Sequence, residues 1–246
     1  MKKLRVVVVD DEALARSILR EYLEEHTDVE IVAECTNGFE AVKAVADLTP
    51  DLLFLDIQMP RLDGFEVLEL IGAEVNVVFV TAYDKYAVRA FEVHAVDYLL
   101  KPFSAERLGE ALAQARSKIA KPQAVPIATL TAAARPEGTR IERVLIRDGA
   151  QVNVIPVSKI DYVEAQDDYV SYRSEGKQFL KQQTLAQAET TLDPARFVRI
   201  HRSYILNVDR LAKLELYAKD SYAAILRDGT RLPVSRTGYS RLSALL

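Results

Sequence analysis

The first half of the chain alternates short apolar runs with amphipathic segments. Apolar side chains between Leu14 and Leu23 recur every three to four positions, which indicates a helix with one buried face. Four further segments have a helical pattern: Gly38–Asp47, Asp63–Ile71, Asp84–Val93 and Ala105–Lys118. The apolar runs predict five strands: Arg5–Val9, Glu30–Cys35, Leu52–Leu55, Asn76–Val80 and Tyr98–Leu100. Five β–α units predict an α/β domain over residues 1–120, with a parallel sheet covered by helices on both faces.

Residues 121–139 follow neither pattern. They contain Pro122, Pro126 and Pro136 among many alanines and threonines, without a periodic apolar face. This composition is typical of a linker.

Residues 140–246 form a pattern of short strands, which predicts a mostly-β second domain. Asp148-Gly149 favours a type I′ hairpin turn, and Asp228-Gly229 indicates a second hairpin. Only Leu185–Leu192 and the last few residues have a helical pattern, so no helix-turn-helix is expected. The predicted strands are Val144–Arg147, Val152–Val157, Ile160–Ala165, Tyr169–Arg173, Gln178–Lys181, Leu211–Leu216, Tyr222–Leu226 and Thr230–Val234.

Composition excludes several classes of protein. The 246 residues include only 9 Gly, 9 Pro and 1 Cys, which excludes collagen-like chains and disulfide scaffolds. No apolar run approaches the roughly 20 residues of a membrane helix. The N-terminal valine run is too short for a signal-peptide core and is closed by Asp10, Asp11 and Glu12, so we expect a cytoplasmic protein.

Charge is distributed unevenly between the two halves. Residues 1–121 contain 14 Lys and Arg against 22 Asp and Glu, whereas residues 122–246 contain 18 against 14. An acidic module joined to a basic one suggests two different partners. The excess in the second half is modest, and alone it favours nucleic-acid binding only weakly.

Polar residues follow four of the predicted strands of the first domain. Asp10 and Asp11 come after the first strand, Asp56 after the third, Thr81 after the fourth and Lys101 after the fifth. The carboxyl ends of parallel strands meet at one edge, where function resides in such sheets. Three carboxylates there would repel each other, which a Mg²⁺ ion would relieve. A carboxylate beside Mg²⁺ can attack a phosphoryl group and become an acyl phosphate, with Lys101 and Thr81 binding its oxygens.

Each of these residues has a plain structural explanation when it is taken singly. Asp56 could cap a turn, Thr81 is a good strand residue, and Lys101 could be a surface charge. Their joint occurrence at the appropriate strand ends makes the structural explanation improbable for the set.

The set resembles the receiver domain of two-component systems. The similarity rests on Asp10-Asp11-Glu12, Leu-Asp56-Ile-Gln-Met-Pro60, Asp63-Gly64, Thr81-Ala82 and Lys101-Pro102-Phe103. It implies a flavodoxin-like sheet of order 2-1-3-4-5 and Asp56 as the phosphoacceptor, with Asp10, Asp11, Thr81 and Lys101 as the other catalytic residues.

The same resemblance implies a Mg²⁺ site and a conformational switch. The metal would be held by Asp11, Asp56 and the backbone carbonyl of Gln58, with Asp10 acting through water. Thr81 and Tyr98 would form the switch, Tyr98 turning inward as Thr81 moves toward the phosphoryl group. A cis peptide is expected at Lys101-Pro102.

The second domain contains a cation-rich stretch from Phe197 to Asn207, followed by Pro233-Val-Ser235-Arg236. Taken alone, Arg199 and Arg202 could lie on the solvent face of a strand. With Thr184-Leu185 and Tyr162-Val-Glu164 ahead of it, however, the stretch resembles the LytTR DNA-binding domain. The resemblance implies DNA contacts from loops that enter successive major grooves, with Asn207 stabilising a turn. The implied contact residues are His201, Arg202 and Arg236, with Ser235 and Tyr169 as weaker candidates; whether Arg202 binds a base or a phosphate is left open.

Together the two resemblances are to response regulators of the LytR/AlgR family. They imply a phosphorylation-controlled, sequence-specific DNA-binding transcription factor that is not a turnover enzyme, because it would catalyse only its own phosphotransfer and dephosphorylation. The implied partners are a sensor histidine kinase, a second copy of the chain after phosphorylation, and double-stranded DNA with paired half-sites. Two alternatives remain: a β domain that binds protein, and a phosphatase that uses Asp56. The phosphatase is weakened by Gln58, where many such enzymes place an acid.

Overall fold

The computed structural model describes residues 2–72, 75–87, 90, 93, 95–121, 141–218 and 221–245. The chain forms two compact units, one built on a parallel sheet and the other on antiparallel sheets. From residue 122 onward the predicted linker lies outside the described residues, and the domain boundaries therefore stay a prediction.

The first unit contains a parallel sheet of five strands in the order β2-β1-β3-β4-β5. This order confirms the predicted doubly wound fold. All five strands lie within two residues of their predicted bounds: β1 Leu4–Val9, β2 Val29–Cys35, β3 Leu52–Leu55, β4 Asn76–Thr81 and β5 Asp97–Leu100.

Four helices of the first unit have described bounds, and three of them begin at a side-chain cap. Asn37, Asp63 and Ser104 each accept a hydrogen bond from a backbone N–H of the first turn. The helices are α1 Ala13–Glu24, α2 Gly38–Leu48, α3 Gly64–Ile71 and α4 Ala105–Ala120. Of the helix predicted over Asp84–Val93, Asp84–Tyr86 form a 3₁₀ turn, and residues 88, 89, 91 and 92 lie outside the described part.

The three central strands of this sheet are almost wholly apolar because helices bury both of their faces. Val6, Phe54 and Val78 pack in one cluster with Leu108 and Leu112 of α4. The apolar runs give way to polar residues at the carboxyl ends of the strands, where Asp10, Asp56 and Thr81 are still buried.

The second unit contains three antiparallel sheets. A central sheet has the order β10-β9-β8-β12-β11, a second β13-β14-β15, and β6 pairs with β7. The strands are β6 Arg143–Asp148, β7 Gln151–Pro156, β8 Ile160–Gln166, β9 Tyr169–Ser174, β10 Lys177–Lys181, β11 Phe197–His201, β12 Tyr204–Asn207, β13 Leu211–Ala218, β14 Ser221–Leu226 and β15 Arg231–Val234. Two short helices complete it, α5 Leu185–Thr191 and α6 Arg236–Ser243.

Two details of the second unit differ from the sequence analysis. Gly149 has φ +59° but Asp148 has no positive φ, so the predicted type I′ turn at Asp148-Gly149 is wrong. The turn with both central residues at positive φ, as type I′ requires, is Glu175-Gly176, with φ of 50° and 75°. Strands β11 and β12 were also missing from the predicted set.

Candidate functional site

Three carboxylates of the first unit meet at the carboxyl edge of the parallel sheet. Oxygen atoms of Asp10, Asp11 and Asp56 all lie within 4.8 Å of one another. Asp10 and Asp56 are buried, at 0% and 6% exposure, whereas Asp11 is exposed. The predicted convergence of these side chains is thus present.

Lys101 provides the positive charge of the pocket. Its Nζ lies 2.6 Å from Asp10 Oδ2 and 3.9 Å from Asp56 Oδ2. The pKa of Asp56 is raised to about 6, mainly by burial. The charge of Asp10 contributes to the rise, and the charge of Lys101 opposes it. At neutral pH Asp56 is therefore mostly ionised in a site that disfavours its charge.

Backbone contacts fix the acidic residues in place. The N–H of Ile57 donates to Asp56 Oδ1 at 2.7 Å, and the Arg16 guanidinium of α1 donates to the Asp10 carbonyl at 2.7 Å. Gly64 begins α3 so close to Asp56 that a Cβ there would lie 2.5 Å from the Asp56 carbonyl oxygen. Sequence reasoning missed Arg16, whose place one helical turn after Glu12 was the available signal.

Thr81 and Tyr98 are connected to the same loop after β4. Thr81 is fully buried; its hydroxyl lowers the pKa of Asp56 slightly but forms no hydrogen bond of normal geometry within the described residues. Tyr98 is half-buried, its hydroxyl donates to the Tyr83 carbonyl, and burial raises its pKa to about 12. The Lys101-Pro102 peptide is cis, as the resemblance implies.

The donor set of this pocket fits Mg²⁺. The three carboxylates supply hard oxygen ligands. Burial, and to a lesser degree the charge of Asp10, raises the pKa of Asp56, so a bound cation would stabilise its ionised form. Gln58, whose carbonyl is the fourth predicted ligand, is exposed two residues after Asp56, and its side-chain amide donates to the Tyr86 hydroxyl at 3.1 Å.

The DNA-contact candidates of the second unit lie mainly at one end of the central sheet. His201 ends β11, Arg202 is exposed in the turn to β12, and Tyr169, which is 45% exposed, begins β9. The adjoining β8–β9 hairpin is held beside this turn by the Ala165 N–H, which donates to the Ser203 carbonyl at 2.9 Å.

His201 is held as a neutral side chain. Its Nδ1 accepts a hydrogen bond from the Ser203 N–H at 3.2 Å, so a proton on the ring would be carried by Nε2. Burial, and secondarily the charge of Arg202, lower the pKa of His201 below its ordinary value. The imidazole can therefore act as a hydrogen-bond donor without adding charge.

The start of α6 is fixed to β11 through Ile200. The Ser235 N–H and hydroxyl both donate to the Ile200 carbonyl, and the Ser235 hydroxyl also caps α6 by accepting from the Gly238 N–H. A Cβ at Gly238 would lie 1.9 Å from the same carbonyl oxygen. The Ser235 hydroxyl is thus committed to the fold, which makes it a weaker DNA donor than its exposed neighbour Arg236.

Two further results concern this end of the second unit. Asn207 is fully buried, and its side chain bonds the Ile160 carbonyl and the Asp209 N–H, so it stabilises the turn as expected. Three charged residues that the sequence analysis did not single out for this site line a pocket with His201 and Arg202: Glu189, Arg199 and Arg241.

Within the described part of the chain, no helix combines the length and the apolar character that crossing a membrane requires.

Comparison with known proteins matches each half of the chain to a known family. The family of response regulator receiver domains matches residues 6–113, and the family of LytTr DNA-binding domains matches residues 150–246. The transcriptional regulatory protein BtsR of Escherichia coli K12 is 38% identical over 95% of each chain. The sensory transduction protein LytT of Bacillus anthracis is 35% identical over 99% of each chain. The chain belongs to the response regulators that join a receiver domain to a LytTr DNA-binding domain, and it is a phosphorylation-controlled, DNA-binding transcription regulator.

Proposed function

We propose that Asp56 accepts a phosphoryl group from the phosphohistidine of a sensor kinase, and that this modification controls sequence-specific DNA binding by the second unit. The observation that carries the first part is the pocket itself. The oxygens of Asp10, Asp11 and Asp56 lie within 4.8 Å, and the Lys101 ammonium is close to both buried carboxylates.

The chemistry is an in-line transfer. A carboxylate oxygen of Asp56 forms a bond to phosphorus as the P–N bond of the donor breaks, and the imidazole departs with that electron pair. Ile57 holds one oxygen of Asp56. Lys101, 3.9 Å from Asp56, and the buried hydroxyl of Thr81 would bind the incoming phosphoryl oxygens. Mg²⁺ bound to Asp11, Asp56 and the Gln58 carbonyl, with Asp10 acting through water, would offset the charge that gathers in the pocket.

Intact mass tests the phosphoacceptor. The full chain incubated with a small phosphodonor and Mg²⁺ should gain one phosphoryl group, and Asp56→Asn should gain none. Asp51→Asn is the matched control, because Asp51 precedes β3 at the end of the strand opposite Asp56 and accepts from the Arg5 N–H. A full phosphoryl gain by Asp56→Asn would refute the assignment.

For DNA binding, the proposed contacts are His201 and Arg202 from the β11–β12 turn, Arg236 from the start of α6, and Ser235 and Tyr169 as secondary contributors. The support is the exposure of Arg202 and Arg236 beyond the sheet, together with the transcriptional role in the name of the relative BtsR. Arg236 suits a guanine edge, and Arg202 suits either a base or a phosphate.

The link between the two activities is a shift of the receiver between conformations that exist before phosphorylation. Thr81 ends β4, and the Tyr98 hydroxyl donates to the carbonyl of Tyr83 two residues later, so a movement of Thr81 would displace the segment that Tyr98 contacts. The expected result is a homodimer that places two output domains on paired half-sites. Sedimentation of the full chain with and without a phosphoryl mimic tests this, and equal mass in both states would contradict it.

A further inference from the structure

Between the β11–β12 turn and the start of α6 lies a pocket of about 290 Å³ with a strongly cationic lining. Arg199, Arg202 and Arg241 contribute three guanidinium groups, and His201 and Thr237 complete the polar wall. One carboxylate, Glu189 of α5, lines the same pocket. Three arginines against one glutamate leave the pocket with a net positive charge whichever form His201 takes.

Glu189 contacts two of the three arginines. Its Oε2 accepts a hydrogen bond from Arg199 Nη1 at 3.1 Å, and its Oε1 lies 3.5 Å from Arg241 Nη1. The other terminal nitrogen of Arg199 donates to the Arg202 carbonyl at 3.1 Å. Arg199 is thus held from both sides, by a charge on α5 and by the backbone of the turn.

A carboxylate that bridges two guanidinium groups has the contacts that a phosphate would make in the same place, because arginine binds both anions through paired N–H groups. Arg199, Glu189 and Arg241 have 28%, 35% and 53% side-chain exposure. An exchange of partners is therefore feasible without unfolding any element.

We propose that this pocket receives one backbone phosphate of DNA, and that Glu189 is an internal counter-ion with which the phosphate competes for Arg199 and Arg241. The inference rests on the proposed DNA binding of the second unit. In the free protein Glu189 holds the arginines in position. When DNA binds, competition from Glu189 lowers the affinity for every sequence by about the same factor, at specific and non-specific sites alike.

If Glu189 is a counter-ion, removing its charge should strengthen DNA binding. Glu189→Gln keeps an amide oxygen that can accept from Arg199 but removes the charge. Affinity for a duplex of mixed sequence should rise about two- to fivefold, the range that one exposed ion pair is worth. The slope of log affinity against log salt should steepen by up to about one, because one more phosphate is fully neutralised.

Glu175→Gln is the matched control. It makes the same change of charge at the β9–β10 turn, at the opposite end of the central sheet, where Glu175 pairs with Lys159. Arg241→Gln removes one of the arginines proposed to bind the phosphate. It should weaken binding of all sequences about equally and reduce the salt slope by about one.

The experiment measures binding of the full chain to a mixed-sequence duplex at several salt concentrations, for wild type and the three variants. A gain in Glu189→Gln, no change in Glu175→Gln and a loss in Arg241→Gln support the proposal. Affinity of Glu189→Gln equal to that of Glu175→Gln, or below wild type, overturns it, because Glu189 would then only position Arg199. If wild type shows no salt-dependent binding, the proposed DNA function itself fails, and that outcome is distinct from failure of the counter-ion role.

Discussion

The ammonium of Lys101 lies 2.6 Å from Asp10 and 3.9 Å from Asp56. In the unphosphorylated state this charge therefore compensates Asp10 more strongly than the proposed phosphoacceptor. Burial of Asp56, which the charge of Lys101 offsets only in part, raises the pKa of this carboxyl to about 6.

Mg²⁺ affinity should depend on pH. The pKa of Asp56 is raised to about 6, so below that pH a proton competes with the cation for its oxygens. We expect affinity about tenfold weaker near pH 5 than near pH 7.5, since the ionised fraction falls in that proportion. Calorimetric titration of the full chain measures this. Asp56→Asn should show weaker binding without the step near pH 6, and equal wild-type affinity at both pH values would count against the site.

Asp56→Asn should also stabilise the metal-free protein. The folded pKa of about 6 exceeds the ordinary value of 3.8, so the native state binds the proton more tightly than the unfolded chain, and stability is lost as pH rises from about 4 to about 6. Removing the charge should restore up to roughly 3 kcal/mol near pH 7.5 and less near pH 5. Urea denaturation in the presence of a chelator measures the difference. The exposed Asp11→Asn is the control and should change stability less.

Two glycine substitutions should have opposite effects. Gly64→Ala would place a Cβ 2.5 Å from the Asp56 carbonyl oxygen and should destabilise the protein by about 1–3 kcal/mol while it slows phosphorylation. Gly109→Ala, in α4, meets its nearest neighbour at 3.9 Å and should stabilise the helix by about 0.5–1 kcal/mol. Thermal denaturation and phosphorylation rates compare the pair. Equal stability of the two variants would show that α3 can move away from Asp56 at little cost.

Arg236→Ala should weaken binding to a selected DNA site by roughly 1–3 kcal/mol and relax the preference at one base. The reason is the proposed guanine contact at the exposed start of α6. Arg227→Ala is the control, because Arg227 is exposed at the other end of β15. A loss that is equal for all sequences would reassign Arg236 to a phosphate.

His201 should contribute to DNA affinity without contributing pH dependence. Its pKa is lowered from 6.5, so the imidazole is neutral between about pH 7 and pH 8. Wild type and His201→Gln should differ in affinity but follow parallel curves over this range. Curves that diverge toward pH 7 would indicate a charged imidazole in the complex.

Sequence periodicity was sufficient for the first unit because its central strands are buried on both faces. Runs such as Val6–Val9 and Leu52–Leu55 have no polar interruption, and the strand ends then place Asp10, Asp56 and Thr81 at one edge. Local signals were sufficient to predict these elements. Right-handed crossovers leave only a few topologies, and the sheet order itself was implied by the resemblance to receiver domains.

The second unit was harder to predict because its informative contacts are distant in sequence. In β11, Arg199 and His201 alternate with buried Val198 and Ile200, but the density of polar residues concealed the strand. The contact of Glu189 with Arg199 and Arg241 joins three separate elements, so no sequence spacing predicts it.

The junction at Ile200 limits which residues of the proposed DNA-binding surface can change between related proteins. The Ile200 carbonyl accepts both hydrogen bonds that Ser235 donates, and it lies against Gly238. The backbones of β11 and the start of α6 are therefore fixed to each other. The side chains of Arg202, Arg236 and Thr237 stand outside that frame and are exposed. Recognition can therefore be rewritten by exchanging these outer residues, while the scaffold that presents them is inherited unchanged.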